Sequence, residues 1–210
     1  MPSPSDQRTY PAAVFEGRDL DLDAFLFDGT DFRRAHAEGA SFLECTLVGC
    51  DVTEAALDGS RWSDCAWERV HGVGFSLAEA SLVEMTIEQC RLAAVSAWGS
   101  RWRDVTVRGG KIDFLNLRGA KLKDVRFEDC VVVELDLQEA ECDGLTFSGC
   151  TLVEPAFGRG GYTRLDLSGA TLRSPHGLAS LRGATISRLQ LIDVAEHLAD
   201  ELGLHIADPS

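Results

Sequence analysis

From Leu22 to Leu172 the chain places an apolar residue at every fifth position, without a slip in phase. Of these 31 positions, 27 are Leu, Ile, Val, Phe, Trp or Tyr, and the exceptions are Ala37, Gly72, Ala97 and Cys142. A second column lies two residues earlier, and 22 of its 31 members are Ala, Cys, Ser, Thr, Val or Gly. The positions between are mostly polar or Gly. A period of five fits neither a helix, at 3.6, nor a strand, at 2. It fits a four-sided coil with five residues on each side. The large central residue points inward, and so does the small residue two before it, because residues two apart share a face of extended chain. The pattern therefore predicts an all-β fold, a right-handed quadrilateral parallel β-helix of about 20 residues per turn. No turn can bury its own apolar edge, so the turns must stack.

A weaker period of ten marks alternate corners. Gly falls at 29, 39, 49, 59, 99, 109, 119, 149 and 169, and five residues away stand Glu44, Glu54, Asp64, Glu84, Asp104, Asp124, Glu134 and Glu154. Gly suits a turn with positive φ. The acidic corners are expected to use turns without it.

The phase breaks at Ser174-Pro-His-Gly-Leu178, and Leu181 and Ile186 begin a shifted last half-turn. Ser187-Arg-Leu-Gln190 then reads as a capping box, which predicts a helix over about 188–202. Its apolar stripe would be Leu191, Val194/Ala195, Leu198 and Leu202, and Gly203 would end it. Leu204-His-Ile206 reads as a short strand. The chain thus divides into a flexible N-terminus (1–14), a solenoid (15–173) and a C-terminal capping or dimerisation unit (174–210). A solenoid end must be covered. Either the helix only covers it, or Leu189, Ile192, Leu198, Leu202, Leu204 and Ile206 also pair with a second copy.

The length of 210 residues suits one domain or one long repeat array, and 45% hydrophobic residues argue against disorder. The formal charge is -14, from 34 acids and 20 bases. That excess disfavours direct nucleic-acid binding through phosphates and docking on an anionic membrane. No apolar run approaches the ~18 residues of a membrane span, and the N-terminus lacks a signal-peptide core, so a cytoplasmic location is expected.

The repeat also absorbs the reactive residues. Cys45, Cys50, Cys65, Cys90, Cys130 and Cys150 fall in the small inward column and Cys142 in the large one. They read as core residues, with Cys45/Cys65 and Cys130/Cys150 stacked one coil apart. There is no CxxC, no HExxH and no GxSxG, and Gly158-Arg-Gly-Gly161 lacks the Lys-Ser/Thr of a phosphate loop. His36 and His71 precede central positions and should be exposed. No catalytic residue, metal site or cofactor follows from the sequence, and the chain is not read as an enzyme.

Charge is uneven along the coil. Residues 20–90 hold 14 acids and 4 bases, residues 91–130 hold 5 and 9, and residues 131–173 hold 7 and 3. Stacking at 20 residues per turn predicts an ion ladder of Glu88, Arg108 and Glu128. It also aligns Glu44, Asp64, Glu84, Asp104 and Asp124 on five consecutive turns, with Arg103 and Lys123 alongside. This stripe is either a solvated corner whose acids cap turn N–H groups, or a negative surface for a basic partner. Asp58, Glu54 and Glu134 are further candidates for that surface. About 7.5 turns at ~4.8 Å give a rod of roughly 36 Å. DNA of that length carries about 21 charges, against a net -10 over the repeat, so the likeness of charge is partial.

The repeat resembles the pentapeptide-repeat family, whose consensus is a small residue, Asp/Asn, Leu/Phe, a polar residue and often Gly. Ala40-Ser-Phe-Leu-Glu44, Ala120-Lys-Leu-Lys-Asp124 and Leu165-Asp-Leu-Ser-Gly169 carry it. Asp or Asn stands before the central residue at 21, 31, 51, 116, 136 and 166, whereas Arg or Lys stands there at 61, 91, 101, 111, 121 and 126. Within the family the chain looks like the Qnr and MfpA types. That resemblance implies a C-terminal helix that joins a homodimer head to head. It also implies an acidic surface that mimics DNA and binds DNA gyrase, modulating it or protecting it from quinolones or toxins. The unbroken phase leaves no projecting loops, which implies MfpA-like binding where gyrase normally holds a DNA segment. The alternative is a non-catalytic interaction scaffold with an unrelated partner.

Overall fold

A computed structural model describes residues 20–207 of the chain, together with the backbone of Arg8–Thr9. It is a parallel β-solenoid of about eight coils, ended by a short helical unit. From Asp21 to about Thr146 successive coils pair in parallel at a register of 20 residues, as in Leu22↔Phe42, Phe42↔Trp62, Trp62↔Leu82 and Leu82↔Trp102, and the register shifts in the last coils, where Ser148 faces Gly169 and Asp166 faces Thr185. The expected flexible N-terminus lies outside the described residues, except that Arg8–Thr9 adds a rung parallel to Phe25 and Leu26.

Both predicted columns are buried. Phe27, Phe42, Trp62, Trp67, Leu82, Leu122 and Phe127 fill the centres of the sides, while Ala40, Cys45, Cys65, Ala80, Val105 and Ala140 fill the smaller positions. Burying each large side chain contributes about 1.5–3 kcal/mol, so the core is a sum of many similar contributions from neighbouring coils. The Asp or Asn before a central residue has a local task. Asp31, Asp51, Asn116, Asp136 and Asp166 each accept from the backbone N–H two residues on, at 2.8–3.0 Å. These bonds fix the turn at that side of the coil.

The acidic corners differ from expectation. Glu44, Asp64, Glu84 and Asp104 all have φ 53°, Asp124 has φ 52° and Glu54 has φ 58°. Corner conformation is set by closure of the coil, and a corner residue whose side chain points to solvent can take the left-handed form at a cost of about 1–2 kcal/mol. Glu134 and Glu154 do follow expectation. Strands Val131–Asp136 and Glu141–Ala156 run straight across their corners.

The C-terminal unit is also built differently. A 3-10 turn, Leu178–Ser180, leads to helix α1 (Arg188–Asp193) and helix α2 (Ala195–Glu201), which are separated at Val194. The capping box is present: Ser187 N–H donates to Gln190 Oε1 at 2.6 Å, and Gln190 N–H donates to Ser187 Oγ at 3.2 Å. Residues 204–206 do not form a strand. The N–H of Leu204 instead donates to the Ala199 carbonyl at 2.8 Å, and that of Gly203 to Asp200 at 3.0 Å. With Gly203 at φ 70° this is a Schellman ending, which uses the backbone that a strand would need. Nor does the expected stripe bury as a unit. Val194 is buried and Leu198 half-buried, but Leu191 and Leu202 are exposed.

Gln190 closes the solenoid. Its Nε2 donates to the carbonyls of Leu167 and Ala170, both at 2.6 Å, and the side chain is buried. Glu201 anchors α2 by accepting from the N–H groups of Gly177 (2.6 Å) and Ala179 (3.0 Å). The end of the rod is therefore covered by hydrogen bonds to its free backbone groups as much as by apolar packing.

Candidate partner-binding faces

One corner of the rod reads, coil by coil, Ala24, Glu44, Asp64, Glu84, Asp104, Asp124, Gly144 and Arg164, and all eight have positive φ. Identical backbone geometry projects the five acids in one direction, about 4.8 Å apart. The column is not uniformly bare. Asp124 pairs with Arg164 at 3.3 Å, and the same guanidinium reaches Asp143 at 2.8 Å. Asp104 lies 3.8 Å from Arg103. Among the described residues, Asp64 and Glu84 form no ion pair. The unpaired negative charge of the column therefore concentrates on Asp64 and Glu84.

The remaining acidic candidates do not join this stripe. Glu54 and Glu134 lie on the opposite corner, half a coil away and four coils apart from each other. Glu54 pairs with Arg34 at 2.5 Å, and Glu134 is exposed between Phe114 and Glu154. Asp58 is on a further side. It accepts from Ser76 Oγ and, at 3.1 Å, from the N–H of Ala78, so it serves the next coil's turn.

The predicted ladder forms. Arg108 donates to Glu128 at 2.8 Å and to Glu88 at 3.3 Å, linking three coils. On the side next to the acid corner, strands Arg101–Arg108 and Lys121–Glu128 place Arg101 beside Lys121 and Arg103 beside Lys123. This cationic quartet faces out beside the lower part of the acid stripe, and only Lys121 reaches the next coil's acid, Glu141, at 3.4 Å. The rod thus carries an acidic upper part and a basic belt.

The seven cysteines are all free and buried. Burial pushes Cys50 and Cys90 up to about 11 and Cys142 up to about 12. In the stacked pair, the N–H of Cys130 donates to Cys150 Sγ at 3.4 Å, and the Cys130 thiol is pushed up by that neighbour and by burial. Such thiols are poor nucleophiles. His36 and His71 are exposed beside carboxylates, 3.6 Å from Glu38 and 3.5 Å from Asp51. The Gly158-Arg-Gly-Gly161 corner is held by Tyr162, whose hydroxyl donates to the Leu137 carbonyl at 2.9 Å and accepts from Gly158 N–H at 3.2 Å. No helix among the described residues is long and apolar enough to cross a membrane.

The C-terminal unit presents the other candidate face. Leu189 is 74% exposed and Ile192 67%, and Leu202, Leu204 and Ile206 are also exposed, while Leu198 turns partly inward. Two features were not read from the sequence. Gln190 suggests only a helix cap until its reach to the last coil is seen. A groove also opens where the five-residue ruler meets Gly72, and the sole signal for it is that break in the large column.

Comparison with known proteins agrees with this architecture. The profile of the family described as Pentapeptide repeats matches residues 26–61 and 116–152, in 8 copies. The chain is similar to the pentapeptide repeat protein MfpA of Mycobacterium tuberculosis (strain ATCC 25618 / H37Rv), with 30% identity over 98 residues. That alignment covers 44% of this chain and 54% of MfpA, so the chain spans about half the length of the curated relative it matches. Among solved structures, HetL, a pentapeptide repeat protein involved in heterocyst differentiation regulation in Nostoc sp. strain PCC 7120, aligns with 83% of this chain and 92% of its own. The identity is 17% and the TM-score 0.43. A trypsin-treated form of QnrB1, a plasmid-mediated fluoroquinolone resistance protein, aligns with 91% of this chain and all of its own. Here the identity is 17% and the TM-score 0.44.

Proposed function

We propose that this chain is a pentapeptide-repeat protein that acts without catalysis, as a partial DNA mimic that binds DNA gyrase. The observation that carries the reading is the column Glu44, Asp64, Glu84, Asp104 and Asp124, held on one corner of a rigid rod with a single backbone geometry. Regular negative charge on a stiff rod is what a basic, duplex-binding surface recognises, and its long-range field speeds the encounter. The likeness to MfpA supports gyrase as the partner. Asp64 and Glu84 make the main contacts, because Asp104 and Asp124 are partly neutralised by Arg103 and Arg164, and Glu44 extends the stripe by one coil. Glu54, Asp58 and Glu134 are secondary, since they lie off the stripe and two of them serve local bonds.

The active form in this proposal is a homodimer joined through Leu189, Ile192, Leu202, Leu204 and Ile206, with Leu198 supporting them from below. Two rods end to end would double the length of the mimic. In this proposal the protein works in the bacterial cytoplasm.

The test is a supercoiling assay with purified gyrase, with and without a fluoroquinolone. The wild type should inhibit supercoiling or protect the enzyme at low micromolar concentration. The triple variant Glu44→Gln, Asp64→Asn, Glu84→Gln should lose at least about tenfold of that effect, roughly 1.4 kcal/mol. Neither inhibition nor protection by the wild type at about 20 micromolar would overturn the proposal. The basic belt favours a second reading, a scaffold for an unrelated protein, and recovery of a different stoichiometric partner by the purified rod would support it.

A further inference from the structure

One side of the rod carries a groove that the gyrase reading does not use. Its volume is about 990 Å³, and Arg69, His71, Arg91 and Lys111 line it around Gly72. The groove follows from the sequence. Gly72 stands where the ruler otherwise places a large residue, and a Cβ there would lie 2.6 Å from Val52 Cγ2 and 3.3 Å from Phe75 Cδ1. The coil has sunk into the space that a side chain fills elsewhere. Gly110, on the same side two coils on, supports the same inward path, because a Cβ on it would lie 2.1 Å from the Cys90 carbonyl oxygen.

The sunken coil turns a row of cations into a concave wall. His71, Arg91 and Lys111 pair in register on three consecutive coils, about 4.8 Å apart, and Arg69 adds a fourth cation at the corner. Lys111 is held by Asp113 at 2.6 Å, His71 lies 3.5 Å from Asp51 and Arg69 lies 3.5 Å from Glu68, whereas Arg91 at the centre forms no ion pair among the described residues. The groove reverses the sign of a chain whose net charge is -14. Asp51 ends the column of cations on the coil before His71, and Asp113 lines the groove beside Lys111, so the uncompensated positive charge is confined to Arg91 at the centre, which suits a compact anion better than a long one. A guanidinium takes such an anion through paired N–H donors, which makes phosphate the best-matched chemistry.

We infer that the Gly72 groove is a binding site for a small phosphoryl-bearing ligand, with Arg91 as the central contact and Arg69, Lys111 and His71 around it. The shared chemistry is a phosphate group, either free or as the ester of a small molecule.

Calorimetric titration with inorganic phosphate, pyrophosphate and adenosine 5′-monophosphate tests this and distinguishes the sources. At least one should bind with a dissociation constant of about 1 mM or tighter. Arg91→Gln should weaken it by about tenfold or more, and Arg101→Gln, on another side with the same change of charge, by less than about twofold. Amide shifts on adding the bound anion should centre on residues 69–73, 89–93 and 110–113 of the wild type. Binding of none of the three below about 10 mM, equal loss in both variants, or shifts centred elsewhere would overturn the inference. A supercoiling result of either sign leaves this outcome unchanged, because the groove and the acid corner share no residue.

Discussion

Trp62 lies flat on Phe42, with ring centroids 3.7 Å apart and ring planes 3° from parallel. The two are 20 residues apart and occupy the same position on successive coils, so the parallel register brings like side chains into contact. Phe127 and Phe147 repeat the arrangement at 5.0 Å and 16°. A solenoid therefore tends to stack aromatic residues face to face where its ruler repeats them, and the offset is set by the coil.

Trp62 is a strong test of that core. It is almost wholly buried, and its Nε1 donates to Ser60 Oγ at 2.8 Å. Trp62→Ala should cost about 3–5 kcal/mol in urea denaturation. Trp98 is 45% exposed, and Trp98→Ala should change stability by no more than about 0.5 kcal/mol.

Gln190 should matter more than an ordinary helix cap. Gln190→Ala leaves the Leu167 and Ala170 carbonyls without its Nε2 and also breaks the capping box with Ser187. Each unsatisfied buried group costs about 1–3 kcal/mol, and a lost cap about 1. Hydrogen exchange should show faster opening of the last coil in the variant, while the coils near Trp62 keep their protection.

The buried thiols predict a loss of stability in alkali. Cys50 and Cys90 are pushed up to about 11 and Cys142 to about 12 by burial, whereas an unfolded thiol titrates near 8.5. The fold holds these protons more tightly than the unfolded chain does. Their contribution is thus complete below about pH 8.5 and is lost as pH rises toward 11–12. The melting temperature should be level between about pH 7 and 8 and fall above 9. The fall should be shallower in Cys90→Ala, Cys142→Ala, measured against its own value at pH 7. If both proteins lose the same number of degrees, thiol ionisation is not the cause.

The exposed C-terminal leucines and isoleucines predict self-association. Leu189→Asp with Ile192→Asp alters two side chains that are mostly solvent-exposed, so the β-solenoid should keep its circular dichroism. Sedimentation should give the dimer mass for the wild type and half of it for the variant. A wild type that sediments as a monomer at about 50 micromolar, a dissociation constant weaker than about -6 kcal/mol allows, would sink the dimer.

The sequence alone determined the coil, its 20-residue register, its two inward columns, the burial of the seven cysteines and the alignment of Glu88, Arg108 and Glu128. All of these follow from one local rule: a coil that cannot bury its own apolar edge repeats its pattern until stacking buries it. The alignment of the five acids followed too, because it needs only the period. Tertiary structure decided the rest. The left-handed backbone of Glu44 and Asp64 is imposed by closure of the coil, whatever residue stands there. Arg164 neutralises Asp124 from 40 residues away, and Asp58 is drawn off to the turn of the next coil. Gln190 reaches carbonyls 23 and 20 residues before it, and the expected strand at 204–206 yields to the helix ending that uses the N–H of Leu204. Period fixes where a side chain stands, but its charge balance and hydrogen bonds depend on atoms that only the folded chain brings within reach.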